Sequence, residues 1–221
     1  MSEVRFVPRP PCLLCRGREW WEEGQEFCPK CAERIHSMWE SPCRACGEPA
    51  KSCVCTANAW LKFLLWYDEP TAKTFVARLK NDPRAEEVRY FGRELAKLCT
   101  GRYDSVTFVP RQPKEARRHG SDHAKLLAEA VAEALDLPLV STMECRAVTM
   151  QKFLSASQRE KLMQGRFIVK DEVFRDHKRL LLIDDVSTTG ATLRVTSALL
   201  RSHGAETVSC AALCKTRENF R

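Results

Sequence analysis

The chain has 221 residues, with 36 Lys and Arg against 29 Asp and Glu, and a formal net charge of +7 at pH 7. This length predicts one medium domain together with a small module. The sequence contains no apolar run of about 18 residues and no apolar signal-peptide core at its start, so we expect neither a membrane span nor secretion.

The cysteines indicate a metal-binding protein of the cytoplasm. Eight of the 12 lie within residues 12–55 as close pairs. Without a secretion signal, such pairs favour metal ligands over disulfides, and we therefore expect a cytoplasmic location. The other four stand in apolar surroundings and are predicted to be core residues: Cys99, Cys145, Cys210 and Cys214.

The paired cysteines have the spacing of two zinc ribbons. In the first set, two Cys-x2-Cys pairs are separated by 12 residues; in the second, a Cys-x2-Cys and a Cys-x-Cys pair are separated by six. Two such pairs complete a tetrahedral zinc site with no open position. The predicted ligands of two structural Zn2+ ions are Cys12, Cys15, Cys28, Cys31, Cys43, Cys46, Cys53 and Cys55. His36 is an alternative ligand, although a surface position on a helix is favoured.

Residues 1–58 are predicted to form this double zinc-ribbon module, in which zinc supplies much of the folding free energy. They carry eight basic and eight acidic residues, whereas residues 59–221 carry 28 and 21. The basic excess therefore lies in the second domain, where it suits a polyanionic ligand and allows weak contact with nucleic acid.

From residue 61 onward, predicted strands and helices alternate. Strands are expected at 61–67, 105–109, 137–140, 167–169, 180–183 and 206–213, and helices at 70–80, 86–99, 123–135, 158–163 and from 191. This alternation is typical of an α/β fold with a twisted, mostly parallel sheet of about five strands and helices on both faces. Ligands of such sheets bind at the carboxyl ends of the strands.

The stretch 180–193 carries the most specific chemistry. Four apolar residues, typical of a strand buried on both faces, precede Asp184 and Asp185, and a Ser-Thr-Thr-Gly loop then leads into a helix. Backbone N–H groups at a helix start bind phosphate monoesters, and carboxylates accept hydrogen bonds from sugar hydroxyls. The stretch therefore suits a ribose 5-phosphate better than the alternative, an acidic strand end followed by an ordinary helix cap.

A basic segment follows the predicted strand 105–109. Residues 111–125 contain five Lys or Arg against two acidic residues, and Ser121 or Asp122 is expected to cap the helix that follows. On charge alone this segment is a solvated loop. Beside a phosphate-binding motif, we interpret it as a mobile cover for a diphosphate.

The stretch 180–193 closely resembles the phosphoribosyl diphosphate (PRPP) binding motif of type I phosphoribosyltransferases. Across nearly its full length, the chain resembles the ComF/GntX family of competence-associated phosphoribosyltransferase-like proteins. Besides the eight cysteines and this motif, the shared residues include Tyr67, Leu79-Lys80, Val109-Pro110, Arg117-Arg118 before Gly120, Gln151 and Arg159. The resemblance implies a type I phosphoribosyltransferase-like fold for residues 59–221.

The resemblance also implies a PRPP site with Mg2+, in which Asp184 and Asp185 are the catalytic residues. The implied PRPP-binding residues are Asp184, Asp185, Val186, Ser187, Thr188, Thr189, Gly190, Ala191, Thr192, Lys80, Arg111, Arg117 and Arg118. The chain departs from the family at 119–123, where His-Gly-Ser-Asp-His replaces Arg-Gly-Phe-Asn-Gln, and at Leu162, where an asparagine is usual. These departures alter the loop expected to cover the diphosphate.

Three functions remain open from the sequence. The protein is a phosphoribosyltransferase with an unknown acceptor, or a non-catalytic PRPP-sensing adaptor that contacts DNA or a competence protein. By resemblance, either acts in handling single-stranded DNA during natural transformation, with other competence proteins as partners. A zinc-ribbon DNA-binding regulator is less favoured, because a neutral module lacks the basic stripe of a DNA reader.

Overall fold

The computed structural model describes residues 11–18, 25–43, 46–53, 60–81, 83, 85–112, 122–146 and 165–217. Its amino-terminal part contains helix α1 (Pro29–Trp39) and a short 3-10 helix (Ala50–Ser52). The remainder contains β1 (Leu61–Trp66), α2 (Pro70–Asn81), α3 (Ala85–Ala96), β2 (Ser105–Phe108), α4 (His123–Leu135), β3 (Met143–Cys145), β4 (Phe167–Val169), a 3-10 helix (Asp171–Arg175), β5 (Arg179–Ser187), α5 (Ala191–Ser202) and β6 (Thr207–Lys215).

The central sheet is parallel, as the sequence predicts. Its strand order is β1–β6–β5–β2, and each neighbouring pair runs in the same direction. Ile183 of β5 is level with Phe108 of β2 on one side and with Ala211 of β6 on the other. The carboxyl ends of the four strands therefore meet at one edge of the sheet.

Two details differ from the expected five strands. The stretch 137–140 contributes only a single parallel bridge, between Leu139 and Val106 of β2, so the fifth position is a bridge rather than a strand. The sequence analysis did not predict β3, which pairs antiparallel with β4 in a separate two-stranded sheet. The mostly parallel α/β architecture is confirmed.

Strand β5 forms the centre of the core because four of its residues in a row are apolar. Leu180, Leu181, Leu182 and Ile183 are each at most 1% exposed. Full burial of one such side chain stabilises a fold by about 2 kcal/mol. A strand that is buried on both faces requires cover on both faces, and helices provide it.

Helices lie on both faces of the sheet. Apolar residues of α2, α3 and α4 join Leu181 and Ile183 in one hydrophobic cluster, and those of α5, β3 and β4 join Leu180 and Leu182 in another. Helices α3 and α4 approach closely at Gly92, where an added Cβ would lie 2.4 Å from the Cβ of Ala130. Only glycine permits this approach, so a larger residue at 92 would push the two helices apart.

Helix α4 has the bounds that the sequence predicts, because both of its ends carry local signals. Asp122 caps the start and accepts a hydrogen bond from the backbone N–H of Lys125 at 3.3 Å. Asp136 at the end adopts a left-handed conformation with φ 53°. The cap predicted from the sequence is therefore Asp122.

The amino-terminal part of the chain packs along β1, the edge strand of the sheet. Helix α1 contacts β1 and α2, and the 3-10 helix Ala50–Ser52 contacts β1. An edge strand covered in this way does not offer its unpaired backbone groups to another chain.

The four scattered cysteines are core residues, as predicted. Cys99, Cys145, Cys210 and Cys214 are all at most 8% exposed. All eleven cysteines in the described residues are free thiols, which agrees with the expectation of metal ligands and core residues rather than disulfides. Within the part of the chain that the structure describes, no helix is both long and apolar enough to cross a membrane.

Candidate functional site

The two predicted catalytic carboxylates lie inside β5 rather than after it. Strand β5 continues through Asp184 and Asp185 to Ser187, because its pairing with β6 extends as far as Ser187 and Lys215. The strand thus holds both carboxylates rigidly at the carboxyl edge of the sheet. A site on a strand is positioned more accurately than one on a loop.

Asp185 is the centre of an ion-pair cluster. Its Oδ2 lies 3.3 Å from Arg111 Nη2, 3.7 Å from Lys80 Nζ and 3.8 Å from His123 Nδ1. Lys80 comes from the last turn of α2, Arg111 follows β2, and His123 begins α4. The structure therefore brings the predicted cations Lys80 and Arg111 together with the predicted carboxylate.

Asp184 is half-buried and keeps some access to solvent. Its Oδ1 accepts a hydrogen bond from the backbone N–H of Asp185 at 2.8 Å. Burial raises the pKa of the Asp184 carboxyl well above its ordinary value, and the neighbouring charge of Asp185 raises it further. The site thus contains an acidic pair in which Asp185 has basic partners and Asp184 is partly accessible to solvent.

The segment from Ser187 to Ala191, which we term the phosphate loop, connects this edge to α5. Thr188 and Thr189 are exposed, and Gly190 has a positive φ of 74° directly before the helix. The first turn of α5 contains no acidic residue, so its N–H groups carry an uncompensated positive dipole end. The structure therefore places the predicted Ser-Thr-Thr-Gly loop directly before a helix start, and its binding of phosphate stays a prediction.

The remaining members of the predicted PRPP motif lie on either side of this loop. The backbone N–H of Val186 donates to Asp185 Oδ1 at 2.8 Å, which fixes the carboxylate against its own strand. The backbone N–H of Ala191 donates to Thr189 Oγ1 at 3.3 Å. Thr192 lies in the first turn of α5 and is half-buried.

Asp122 and His123 are site residues that the sequence analysis did not assign to the site. Asp122 Oδ2 accepts a hydrogen bond from the backbone N–H of Arg111 at 3.1 Å, in addition to capping α4. His123 is fully buried. Burial, and next the charge of Arg111, lower its pKa, so the imidazole is neutral at pH 7. Both lie within the stretch 119–123 that departs from the family pattern, and that departure was the only signal in the sequence.

Several predicted residues lie outside the described residues. Arg117 and Arg118 fall in 113–121, which also holds most of the proposed cover loop. Gln151, Arg159 and Leu162 fall in 147–164, and Cys55 falls in 54–59. Their predicted roles remain predictions.

The first cysteine set forms a compact metal-binding cluster. The Sγ atoms of Cys12, Cys15, Cys28 and Cys31 all lie within 4.8 Å of one another, and three of the four residues are buried. Backbone N–H groups point at the sulfurs, with Cys28 N 3.4 Å from Cys12 Sγ and Gly17 N 3.3 Å from Cys15 Sγ. Such N–H donors orient and stabilise thiolate ligands. The four sulfurs fit a tetrahedral Zn2+.

The protonation of Cys12 agrees with a thiolate site. Burial alone would raise the pKa of its thiol, but hydrogen bonds from the backbone N–H groups of Cys15, Cys28 and Leu14 outweigh burial and lower the pKa to about 7. Burial raises the pKa of Cys31 instead. A divalent cation among the four sulfurs would favour the thiolate form of all of them.

The second cysteine set is more exposed. Cys43, Cys46 and Cys53 have their Sγ atoms within 4.8 Å of one another, and Cys46 itself is exposed. Three thiols leave one tetrahedral position for a fourth ligand, which Cys55 is predicted to supply. His36 lies in neither cluster and is an exposed residue of α1, so the surface interpretation of His36 is confirmed.

The two carboxylates at the carboxyl edge of the sheet, Asp184 and Asp185, are donors that fit Mg2+. Mg2+ prefers carboxylate, phosphate and water oxygens in an octahedral arrangement, usually with one or two protein carboxylates. Asp184 is a half-buried carboxylate whose pKa is raised by burial and by its acidic neighbour. A divalent cation near the Asp184 carboxylate would relieve its repulsion by the charge of Asp185.

Comparison with known proteins agrees with the resemblance. Residues 123–219 match the family described as Phosphoribosyl transferase domain, so this part of the chain is phosphoribosyltransferase-like. The chain is 28% identical over 226 residues to "DNA utilization protein YhgH" of Salmonella typhimurium, covering 93% of this chain and 96% of that protein. It is 23% identical over 237 residues to "Competence protein F" of Haemophilus influenzae, covering 92% and 96%. The resemblance stated from the sequence is confirmed.

Among solved structures, the chain is similar to glutamine phosphoribosylpyrophosphate amidotransferase from B. subtilis, with a TM-score of 0.45 and 21% identity. The match covers 62% of this chain and 30% of that chain.

Proposed function

We propose that the protein binds PRPP at the carboxyl edge of its sheet and transfers the phosphoribosyl group to an acceptor, in a process that uses DNA. The observation that supports this most strongly is the convergence of a phosphate loop, an acidic pair and two cations from separate parts of the fold. The match of residues 123–219 to the phosphoribosyl transferase domain supports it independently.

The 5-phosphate is assigned to the phosphate loop. Its oxygens would accept hydrogen bonds from backbone N–H groups of residues 188–191 and from the hydroxyls of Thr188, Thr189 and Thr192. The position of the loop at the start of α5 adds the helix dipole to these donors. Gly190 permits the positive φ of 74° with which the loop enters α5.

The ribose is assigned to the acidic pair. Asp184 and Asp185 lie near the end of β5, just before the phosphate loop. One sugar phosphate can therefore contact the acidic pair with its ribose and the loop with its phosphate. Carboxylates accept hydrogen bonds from the 2- and 3-hydroxyls. They also place negative charge near C1, where positive charge develops as the bond to diphosphate breaks.

The diphosphate is assigned to Lys80 and Arg111, with Arg117 and Arg118 of the basic segment as further partners. In the present structure Lys80 and Arg111 pair with Asp185 instead. Binding of PRPP would exchange these ion pairs: the cations turn to the diphosphate, and Asp185 becomes available for the ribose. Mg2+ would be held with the help of the Asp184 carboxylate, and it would supply positive charge that neutralises the leaving group.

The chemistry proposed for this edge is a displacement at C1. A nucleophile of the acceptor forms a bond to C1, the C1–O bond to diphosphate breaks, and the diphosphate leaves with the electron pair of that bond. The protein binds and orients PRPP, and its carboxylates stabilise the oxocarbenium-like transition state. The buried, neutral imidazole of His123 lies 3.8 Å from the Asp185 carboxylate, at the start of α4.

Two structural Zn2+ ions complete the proposal, one at each cysteine cluster, with Cys55 as the eighth ligand. The names of the relatives suggest a role in DNA utilization and competence, and the net charge of +7 allows contact with single-stranded DNA. The free thiols fit the reducing conditions of the cytoplasm, which is the proposed location.

A second candidate is a PRPP-sensing adaptor without transfer activity. The observation that favours it is the altered stretch 119–123, from which Asp122 and His123 enter the site in place of the family residues. Both candidates require PRPP binding. They differ in whether diphosphate is released in the presence of an acceptor such as a nucleobase or single-stranded DNA.

Calorimetric titration with PRPP and Mg2+ tests the shared binding step. We expect binding by the wild-type protein and a loss of about 100-fold in affinity for Asp185→Asn, because the charged acceptor assigned to the ribose hydroxyls is removed. The matched control is Asp104→Asn, which removes a carboxylate bonded to Arg179 at the opposite edge of the sheet.

The control variant should bind PRPP as the wild type does. If the titration detected no binding of PRPP to the wild-type protein, or equal affinity of the wild type and Asp185→Asn, the assignment of this edge to PRPP would be contradicted.

A further inference from the structure

We infer that Trp60 is a positioning residue for the phosphate loop, and that it connects this loop to the second cysteine cluster. The inference rests on the proposed role of the loop in binding a phosphate monoester. Trp60 lies directly before β1 and follows the segment that leads from the second cluster. It is far from the loop in sequence and belongs to no motif.

The ring of Trp60 lies against Gly190. A Cβ added at Gly190 would be 2.5 Å from Trp60 Cζ2 and 2.7 Å from its Cη2. Gly190 also has a φ of 74°, which residues with a side chain rarely adopt. Two independent constraints thus require glycine here: the backbone conformation and the contact with the indole.

Arg194 joins the same indole to the loop from the helix side. Its guanidinium carbon lies 4.6 Å from the centroid of the Trp60 ring, within the range of a cation–π contact. Its Nη1 donates a hydrogen bond to the carbonyl oxygen of Thr189 at 3.0 Å. The chain of contacts from Trp60 through Arg194 to Thr189 therefore holds the peptide that precedes Gly190.

Trp60 is in turn held by the amino-terminal part of the molecule. It packs against the hydrophobic cluster on the α5 face of the sheet, which contains Cys43, Ala50 and Leu193, with Cys53 packed against it. Cys43 and Cys53 belong to the second cysteine cluster, and Leu193 lies in the first turn of α5. Trp60, the second cysteine cluster and the start of α5 thus share one hydrophobic cluster.

This arrangement has a consequence for affinity. Anion binding by backbone N–H groups depends on their orientation, and the loop exposes two of its threonines to solvent. A loop that is held in its binding conformation loses less conformational entropy when the ligand binds. Removing the indole frees Gly190, the residue with the widest choice of conformations, and weakens phosphate binding.

The test compares Trp60→Ala with Trp39→Ala. Trp39 is also a half-buried tryptophan, but it belongs to α1 of the amino-terminal module and stacks on Tyr90 of α3, on the other face of the sheet. Three probes are titrated with each full-length variant: PRPP with Mg2+, ribose 5-phosphate and inorganic diphosphate.

We expect Trp60→Ala to bind PRPP and ribose 5-phosphate about tenfold more weakly than the wild type, because the loop loses its preorganisation. Diphosphate affinity should stay within about twofold, since Lys80 and Arg111 pair with Asp185, whereas Trp60 packs against the cluster on the α5 face and its removal releases the loop. Trp39→Ala should leave all three affinities within about twofold, whatever it does to stability.

Unchanged ribose 5-phosphate affinity in Trp60→Ala would overturn the inference. An equal loss of affinity for diphosphate would overturn it too, because it would indicate damage to the whole site rather than to the loop. If Trp60→Ala does not fold, Arg194→Gln decides, because it removes the cation–π contact and the bond to Thr189 on an exposed helix face. A wild-type protein that binds none of the probes overturns the proposed function itself, and this inference with it.

Discussion

The two cysteine clusters have similar spacing in the sequence but different surroundings in the structure. The first lies in the hydrophobic cluster on the α2–α4 face of the sheet, and the second in the one on the α5 face. The amino-terminal module thus packs on both faces of the sheet beside edge strand β1. The repeated cysteine spacing therefore predicts the ligands of each metal site. The contacts around each cluster determine which part of the fold that site stabilises.

The first cluster is attached through a buried ion pair. Arg78 of α2 donates to the carbonyl oxygens of Leu13 and Leu14 in the first cysteine loop, and its Nη2 lies 2.5 Å from Glu87 Oε1. Glu87 of α3 is only 1% exposed and also receives Arg16 Nε at 3.4 Å. A buried carboxylate requires such partners, so the loop and both helices are held as one unit.

The second cluster is attached through Arg217, which follows β6. Its guanidinium bonds to Asp68 Oδ2 at 2.6 Å, to Glu69 Oε1 at 3.2 Å and to the carbonyl oxygen of Pro42 at 3.1 Å, next to Cys43. The same group lies 5.0 Å from the ring centroid of Trp66. This side of the module is therefore tied to the carboxyl edge of the sheet, where the candidate site lies.

The largest expected effect distinguishes the two clusters by stability. Cys15→Ser and Cys46→Ser each remove an exposed cysteine that is the second member of a Cys-x2-Cys pair. Loss of the first metal should lower the free energy of unfolding by about 4 kcal/mol or more, because the cluster is part of the main core. Loss of the second should cost about half as much.

Chemical denaturation with parallel zinc analysis measures both effects. The wild type should hold two zinc ions per chain, and each variant one. Equal destabilisation by the two variants would contradict the expected difference between the two clusters. A wild-type content of one zinc ion or less per chain would contradict the second zinc site.

A smaller effect is expected for the ion pair that holds the first cluster. Glu87→Gln should lower the free energy of unfolding by about 2 kcal/mol, because the Arg78 guanidinium, 24% exposed, loses a buried anionic partner. Glu94→Gln is the matched control on the same helix. Its partner Lys97 is 68% exposed, so the change should stay within about 0.5 kcal/mol.

Glu87→Gln should also increase the rate of zinc release from the first cluster and leave the second unchanged. Competition with a chelator, followed by the release of each zinc ion over time, measures this. If the release of both zinc ions became faster to the same extent, the two clusters would not be independent.

The smallest effect concerns a pair that belongs to neither cluster. Hydrogen bonds from the Arg179 side chain and backbone lower the pKa of Asp104 to about 2. Because the folded pKa lies below the unfolded value of about 3.9, the pair stabilises the fold above pH 4 and loses this contribution as pH falls towards 2. Solvent screening keeps the contribution small, since Arg179 is 44% exposed.

Asp104→Asn should therefore remove a small part of the acid dependence of sheet unfolding between pH 4 and 2, while the pH of zinc release stays unchanged. Circular dichroism for the sheet and a zinc indicator dye for the clusters separate the two transitions. A shift of zinc release in this variant would mean that the sheet and the clusters titrate as one unit.

The features that the sequence predicts correctly are those with local signals. Helix α4 was predicted from its cap, and the loop that leads from β5 into α5 from the Ser-Thr-Thr-Gly sequence within residues 180–193. That this loop binds phosphate stays a prediction. Strand β3 was missed because three residues, Met143–Cys145, show no periodicity. The position of Asp184 within β5 was missed because pairing with β6, a tertiary contact, extends the strand.

Long-range contacts account for the rest. His123 approaches Asp185 only because α4 starts at the carboxyl edge of the sheet, and Trp60 reaches Gly190 across 130 residues of sequence. Glu87 looks like one of several surface acids of α3 until the first cysteine loop covers it. Sequence patterns specify local structure and ligand types, but not which segments meet in the fold.

A crystal structure of the protein with PRPP and Mg2+ tests the central claim most directly. We predict the 5-phosphate at the backbone N–H groups of the phosphate loop, and the ribose hydroxyls within hydrogen-bond distance of Asp184 and Asp185. Lys80 and Arg111 should have turned from Asp185 to the diphosphate. PRPP bound elsewhere, or bound here with the Lys80 and Arg111 pairs to Asp185 intact, would contradict the account.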